Sequence, residues 1–234
     1  VPNRAIAGLS AFRLGNFVQA FGHINIIKNE LPADNPIQKL LIILQLKMGK
    51  IDAADEALDE LDKLDGLTED DVILLSAAST QFIKDGDFNR AREIAGKANR
   101  FDYSNPLNLA QKGMLLLSLE NIEGITDIES ALDIDSNLIS GNTALARAYI
   151  KYGLFQKALD LSESWIAQTP QKVNGYILAA KANVGLNNKE EAEVLYQQVL
   201  EFDIADPSAN IFFADLNVET GKSKVSNGYL FNIL

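Results

Sequence analysis

The stretch LARAYIKYGLFQKALDLSESWIAQTP, Leu145 to Pro170, decides the fold. An apolar pattern at helical spacing runs to Tyr152 and stops at Gly153. A second pattern begins near Phe155, runs to Ile166 and ends ahead of Pro170. Gly153 and Ala158 stand five residues apart between them. Two short helices and a tight turn make one unit, and the rest of the chain repeats that unit.

Gly-x4-Ala recurs as Gly15/Ala20, Gly49/Ala54, Gly86/Ala91 and Gly153/Ala158, with Asn187/Ala192 and Gly221/Ser226 as weaker copies. Units then begin near residues 1, 35, 72, 105, 139, 173 and 207, mostly 34 residues apart, with a step of 37 before the third and 33 after it. Position 20 of each unit is small throughout: Ala20, Ala54, Ala91, Gly124, Ala158, Ala192, Ser226. Two helices approach closely only where neither carries a large side chain, so this column marks their crossing. Position 15 is Gly15, Gly49, Gly86, Leu119, Gly153, Asn187, Gly221, which suits a left-handed residue just past a helix end. Leu119 breaks that rule, so the turn Glu120 to Glu123 is expected to be irregular.

These residues resemble the tetratricopeptide repeat (TPR) family. The match lies in Gly8, Gly15, Ala20 and Pro32 of the first unit, Ala146, Tyr149, Gly153, Ala158 and Pro170 of the fifth, and Tyr176, Ala180 and Ala192 of the sixth. The resemblance implies an all-α, right-handed α-solenoid of about seven helix-turn-helix units. The family's usual first-helix Trp is absent at every copy, and Lys112 stands where a small residue is expected. More narrowly, Ala131 to Asp135, Tyr149 to Ala158 and Ala214 to Leu216 resemble the bacterial repeat lipoproteins of exosortase (PEP-CTERM) and exopolysaccharide systems. That likeness implies the bacterial periplasm or an outer-membrane-attached location, with the cytoplasm as the alternative.

Composition narrows the chemistry. The chain has 234 residues, no Cys, one His and a net charge of −11. Cysteine nucleophiles, disulfides and thiolate metal sites are excluded. The acidic balance disfavours nucleic acid and anionic membrane as partners. No apolar run approaches the roughly 18 residues of a membrane span, and no signal peptide is present. No cofactor motif is present either. Val1 falls on the first position of a unit, which suggests an excised piece of a longer chain.

One continuous array over 1–234 is expected, with no linker. The run Asp52, Asp55, Glu56, Asp59, Glu60 and Asp62 reads as a solvated face, or less often as a site for a cation or basic partner. Thr68 with Asp71 reads as a helix start, and Pro106 opens a helix. Trp165 is expected in the core, and Phe17, Phe88 and Phe155 at packing positions. Val225 to Leu234 ends on exposed apolar residues without a polar cap, which suggests end-to-end association or further units.

In the family the first helices build the concave wall, mainly with positions 2, 5, 9, 12 and 13. Position 13 reads Arg13, Lys47, Lys84, Leu117, Lys151, Gly185, Glu219, and position 9 reads Leu9, Ile43, Thr80, Gly113, Arg147, Lys181, Asp215. With Lys39 at position 5, the wall carries seven bases against two acids, in a chain of 32 acids and 21 bases. Such a groove would focus field on an anionic ligand. Arg147, Lys151 and Lys181 form the leading cluster, and Lys47 and Lys84 a second. The family's carboxylate clamp needs Lys-x3-Asn and Lys-x3-Arg, yet Lys39 is followed by Ile43 and Lys181 by Gly185.

The sequence therefore reads as a scaffold that binds an extended, anionic protein or peptide. The alternative is a structural element that joins end to end. An enzyme would need acid, base or nucleophile groups converging in a pocket, and no such constellation is legible.

Overall fold

Short helices of about 12 residues are marginal alone, so packing between them must hold this chain. A computed structural model describes residues 2–32, 35–219, 221 and 223–233. Among these residues there are fourteen α-helices in seven consecutive pairs and no strand. The first pair is α1 (Pro2–Arg13) and α2 (Phe17–Ile27), and the second is α3 (Pro36–Lys47) and α4 (Ile51–Lys63). Then come α5 (Val72–Lys84) with α6 (Phe88–Ala98), and α7 (Pro106–Ser118) with α8 (Gly124–Ile134). The last six are α9 (Ile139–Lys151), α10 (Phe155–Gln168), α11 (Val173–Gly185), α12 (Lys189–Phe202), α13 (Pro207–Glu219) and α14 (Ser223–Phe231). This is the all-α solenoid architecture expected from the repeat. The chain divides into two compact units, Val1–Ala131 and Leu132–Leu234.

The two columns of small residues hold the pairs together. Every position-20 residue is buried, from Ala20 at 0% exposed to Ser226 at 2%. The turn column behaves as its chemistry requires. Gly15, Gly49, Gly86, Gly153 and Gly221 all take positive φ between 68° and 81°, and Asn187 takes 64°. Side chains start several helices: Asn16, Asn35, Asp87 and Asn105 each accept a hydrogen bond from a first-turn backbone N–H. Thr68 and Asp71 form the expected capping box around a short 3-10 turn that leads into α5.

The fourth pair corrects the register. Its left-handed residue is Glu120, at φ 62°, one residue after Leu119. The residue packed against α8 is Gly113 rather than Lys112. The first helix thus runs in register from Pro106, a regular step of 34 residues after Val72, and the missing residue falls in the turn before Gly124. Lys112 does not occupy a small-residue position. It reaches Asp127 at 3.1 Å and lies over the ring of Tyr103.

Apolar packing fills the interior. Leu58, Leu75, Ile94 and Leu115 are almost wholly buried in one cluster of the first unit, and Trp165 packs with Ala146 and Leu178 in the second. Phe17 packs against the first cluster of its unit and Phe155 against Gly185, but Phe88 is half exposed, contrary to expectation. Asn142 and Asn210 occupy the same position of their helices. Their amides donate to Ser136 and Leu138 carbonyls and to Ile204 and Asp206 carbonyls, which fastens each incoming turn.

Candidate functional site

The seven predicted basic residues separate by unit and by surroundings. Arg13, Lys39, Lys47 and Lys84 belong to the first unit, and Arg147, Lys151 and Lys181 to the second. Lys47 and Lys84 come together. They line one groove of about 520 Å³ whose floor and walls include Leu46, Ile73, Ala77 and Thr80. These residues come from α3 and α5, and Gln111 of α7, which bonds Ser76, completes the lining. Lys47 and Lys84 stand at the same position of neighbouring first helices, so their ammonium groups recur once per repeat. Both are exposed.

Packing also constrains Lys47. Its Nζ lies 4.9 Å from the centroid of the Phe17 ring. Position 13 of one unit therefore rests on position 17 of the preceding one. Gly185 and Phe155 repeat that relation, the ring lying where a Cβ on Gly185 would be. Gly185 is thus a packing position and not a bare part of a wall.

Lys39 is committed elsewhere. Its Nζ bonds Asp71 Oδ2 at 2.6 Å, the same oxygen that accepts from Thr68. Asp71 is buried, so Lys39 supplies the counter-charge that lets a carboxylate cap the next pair. Arg13, Arg147, Lys151 and Lys181 are exposed on their first helices. Lys151 lies over the ring of Tyr152 at 5.7 Å. Glu219 bonds Lys189 at 2.8 Å, and Asp215 is exposed. Gly113, assigned to the wall by spacing, is buried at the α7–α8 crossing, a consequence of the one-residue register shift.

The acidic run of α4 resolves into two faces. Asp55, Asp59 and Asp62 pair across to α6 and the turn after it: Arg90 reaches Asp55 and Asp59 at 2.7 Å each, Lys97 reaches Asp62 at 2.6 Å, and Arg100, past the end of α6, also bonds Asp62. These acids form part of an ion-pair seam and not simply a solvated face. Burial opposes ionisation of Asp59 and Asp62. The hydrogen bonds and charges of Arg90 and Lys97 at the first, and of Lys97 and Arg100 at the second, outweigh it and hold both below the ordinary carboxylate range. Arg90 is held still more firmly protonated: burial opposes its charge, but the hydrogen bonds it donates to Asp55, Glu93 and Asp59 prevail. Sequence spacing alone showed the acids; the bases that meet them lie one repeat on, as in the 35-residue separation of Arg90 from Asp55.

Among the described residues, no group of three or more His, Cys, Asp or Glu side chains could hold a metal ion. Among them, no helix is long and apolar enough to cross a membrane.

No family model matches the chain, and no curated protein matches it by sequence. Solved structures do match. A TPR protein from Parabacteroides merdae ATCC 43184 superposes with a TM-score of 0.71 at 12% identity, covering 99% of this chain and 91% of that one. YrrB, a TPR protein with an unusual peptide-binding site, gives 0.60 at 16% identity, covering 80% and 95%. MamA from Desulfovibrio magneticus RS-1, residues 41 to the end, gives 0.55 at 19% identity, covering 70% and 93%. At these identities the likeness is one of fold, and the fold is that of the tetratricopeptide-repeat proteins.

Proposed function

We propose that the protein is a non-catalytic interaction scaffold whose first-helix groove binds an extended, anionic peptide or protein segment. The observation that supports this most directly is the pairing of Lys47 and Lys84 in one groove with apolar residues between them. Charge gives such a groove orientation and on-rate, and the apolar floor gives it affinity. YrrB shares the fold and has a peptide-binding site. Arg147, Lys151 and Lys181 offer a second basic stretch in the other unit, and Arg13 extends the first. On the phrases shared with exosortase-associated lipoproteins, we place the scaffold in the bacterial envelope, with the cytoplasm as the alternative compartment.

The test is fluorescence anisotropy with an extended peptide that alternates Glu and Leu, beside its Lys-and-Leu counterpart. Lys47→Glu/Lys84→Glu should weaken the acidic peptide about tenfold or more, and added salt should do the same to wild type. Arg147→Glu/Lys151→Glu/Lys181→Glu reports the second stretch separately. Equal binding by wild type and both variants would remove the groove from the function.

A second reading is end-to-end assembly through α14. Val225, Leu230 and Phe231 are exposed there, Phe231 at 76%. A mass that rises with concentration in sedimentation, and falls back with Phe231→Glu, would support it.

A further inference from the structure

A second cleft, of about 440 Å³, lies where the end of α2 meets α3 and α4. It shares no lining residue with the Lys47/Lys84 groove. Its polar lining is Lys28, Asn29, Gln38, Gln45, Glu56 and Glu60. Glu56 and Glu60 stand one turn apart on the face of α4 turned away from the α6 ion-pair seam, and among the described residues no base pairs with either. Lys28 lies at the rim and is exposed. Gln38 already donates its amide to the Lys28 and Leu31 carbonyls.

The independent observation is Gln45. It lines the same cleft, is 6% exposed, and among the described residues no donor reaches its buried Oε1. Buried acceptors are rarely left so, because desolvation without a partner is costly. The terminal torsion of a Gln is broad, so the carboxamide can turn its oxygen to a donor that enters.

We propose that this cleft binds the guanidinium of an arginine side chain presented by a partner protein. A guanidinium carries five N–H donors in one planar fork and no acceptor, which complements one carboxamide oxygen and two carboxylates. Its methylene stem would cover Leu41, Ala53 and Ala57. The two carboxylates against one Lys28 leave the cleft net negative, opposite in sign to the basic groove. The scaffold thus has two recognition surfaces of opposite charge in its first unit.

The probe is N-acetyl-arginine methylamide, titrated into the full chain while the Gln45 side-chain amide signals are followed by NMR. Saturable movement of those signals is expected. The neutral citrulline isostere should bind at least tenfold more weakly, as should the arginine probe to Glu56→Gln/Glu60→Gln. Gln45→Leu, followed through the backbone amide signals of Ala53 and Ala57 in the same cleft, should abolish saturable binding, and Lys47→Glu/Lys84→Glu should leave the Gln45 response unchanged. The Glu-to-Gln variant changes only surface residues, so it keeps the test decisive even if Gln45→Leu folds poorly. Stationary Gln45 signals, equal citrulline binding, or undiminished binding to Glu56→Gln/Glu60→Gln would overturn the site. Loss in Lys47→Glu/Lys84→Glu would place the arginine elsewhere and overturn it too.

Discussion

Gly113 and Gly124 meet backbone to backbone: a Cβ added to Gly113 would stand 2.6 Å from the Gly124 carbonyl oxygen. Backbone cannot move aside as a flexible side chain can. Gly113→Ala and Gly124→Ala should each destabilise the fold, by about 1–3 kcal/mol of overpacking. That outweighs the helix-propensity gain of about 1 kcal/mol. Urea denaturation of the two single variants checks this. A stabilised Gly113→Ala would show that the α7–α8 crossing is looser than described.

Two glycines in open space should respond with opposite sign. Gly96 lies within α6, and among the described residues an added Cβ would meet nothing within 4 Å. Gly96→Ala should raise stability by about 0.5–1 kcal/mol. Gly153 is equally uncrowded but takes φ +74°. Gly153→Ala should lower stability by about 1–2 kcal/mol, because an L side chain is strained there. Thermal unfolding of both variants separates conformation from space.

That contrast shows what the sequence carries openly. Gly15, Gly49, Gly86, Gly153 and Gly221 announce their turns because only residue type and spacing are involved, and the fold follows from them. The fourth pair was legible only in part. A residue lost between Glu120 and Gly124 looks, in a linear count, like a short step before Pro106. The left-handed Glu120 and the packing of Gly113 on Gly124 together show where the deletion lies. The site was less legible still. Lys39 and Lys84 look alike as basic wall residues, but Asp71 sits one repeat away from Lys39 and claims it. The α4 acids were likewise visible as a run, while their division into a paired face and an unpaired face depends on where α6 lies.

The paired face should make stability depend on acid. Asp59 and Asp62 titrate below the ordinary carboxylate value of 3.8 in the folded chain. A lowered folded pKa adds stability that is fully present above the unfolded pKa and is lost as pH falls through the folded one. The melting temperature should therefore drop on acidification from about pH 5 through pH 3. Arg90→Met should lower stability at neutral pH by roughly 1–2 kcal/mol, between the values for exposed and buried pairs, and should flatten that acid limb. Parallel pH profiles for wild type and Arg90→Met would mean the seam contributes nothing.

The same substitution at two glutamines should act in opposite directions. Gln38 Nε2 donates to the Lys28 carbonyl at 2.6 Å, so Gln38→Leu removes a made hydrogen bond and should cost about 1 kcal/mol. Gln45 Oε1 is buried and meets no donor among the described residues, so Gln45→Leu removes an unmet acceptor while keeping most of the volume. It should be neutral or stabilise the chain by about 1 kcal/mol. Chemical denaturation of both variants, without ligand, checks the pair. A marked loss of stability in Gln45→Leu would mean that its carboxamide is satisfied within the folded chain, for instance by an enclosed water. The arginine-binding role would then lose its physical motive. A gain would mean that stability is given up at Gln45 in the free protein, the pattern expected of a residue kept for a partner's donor.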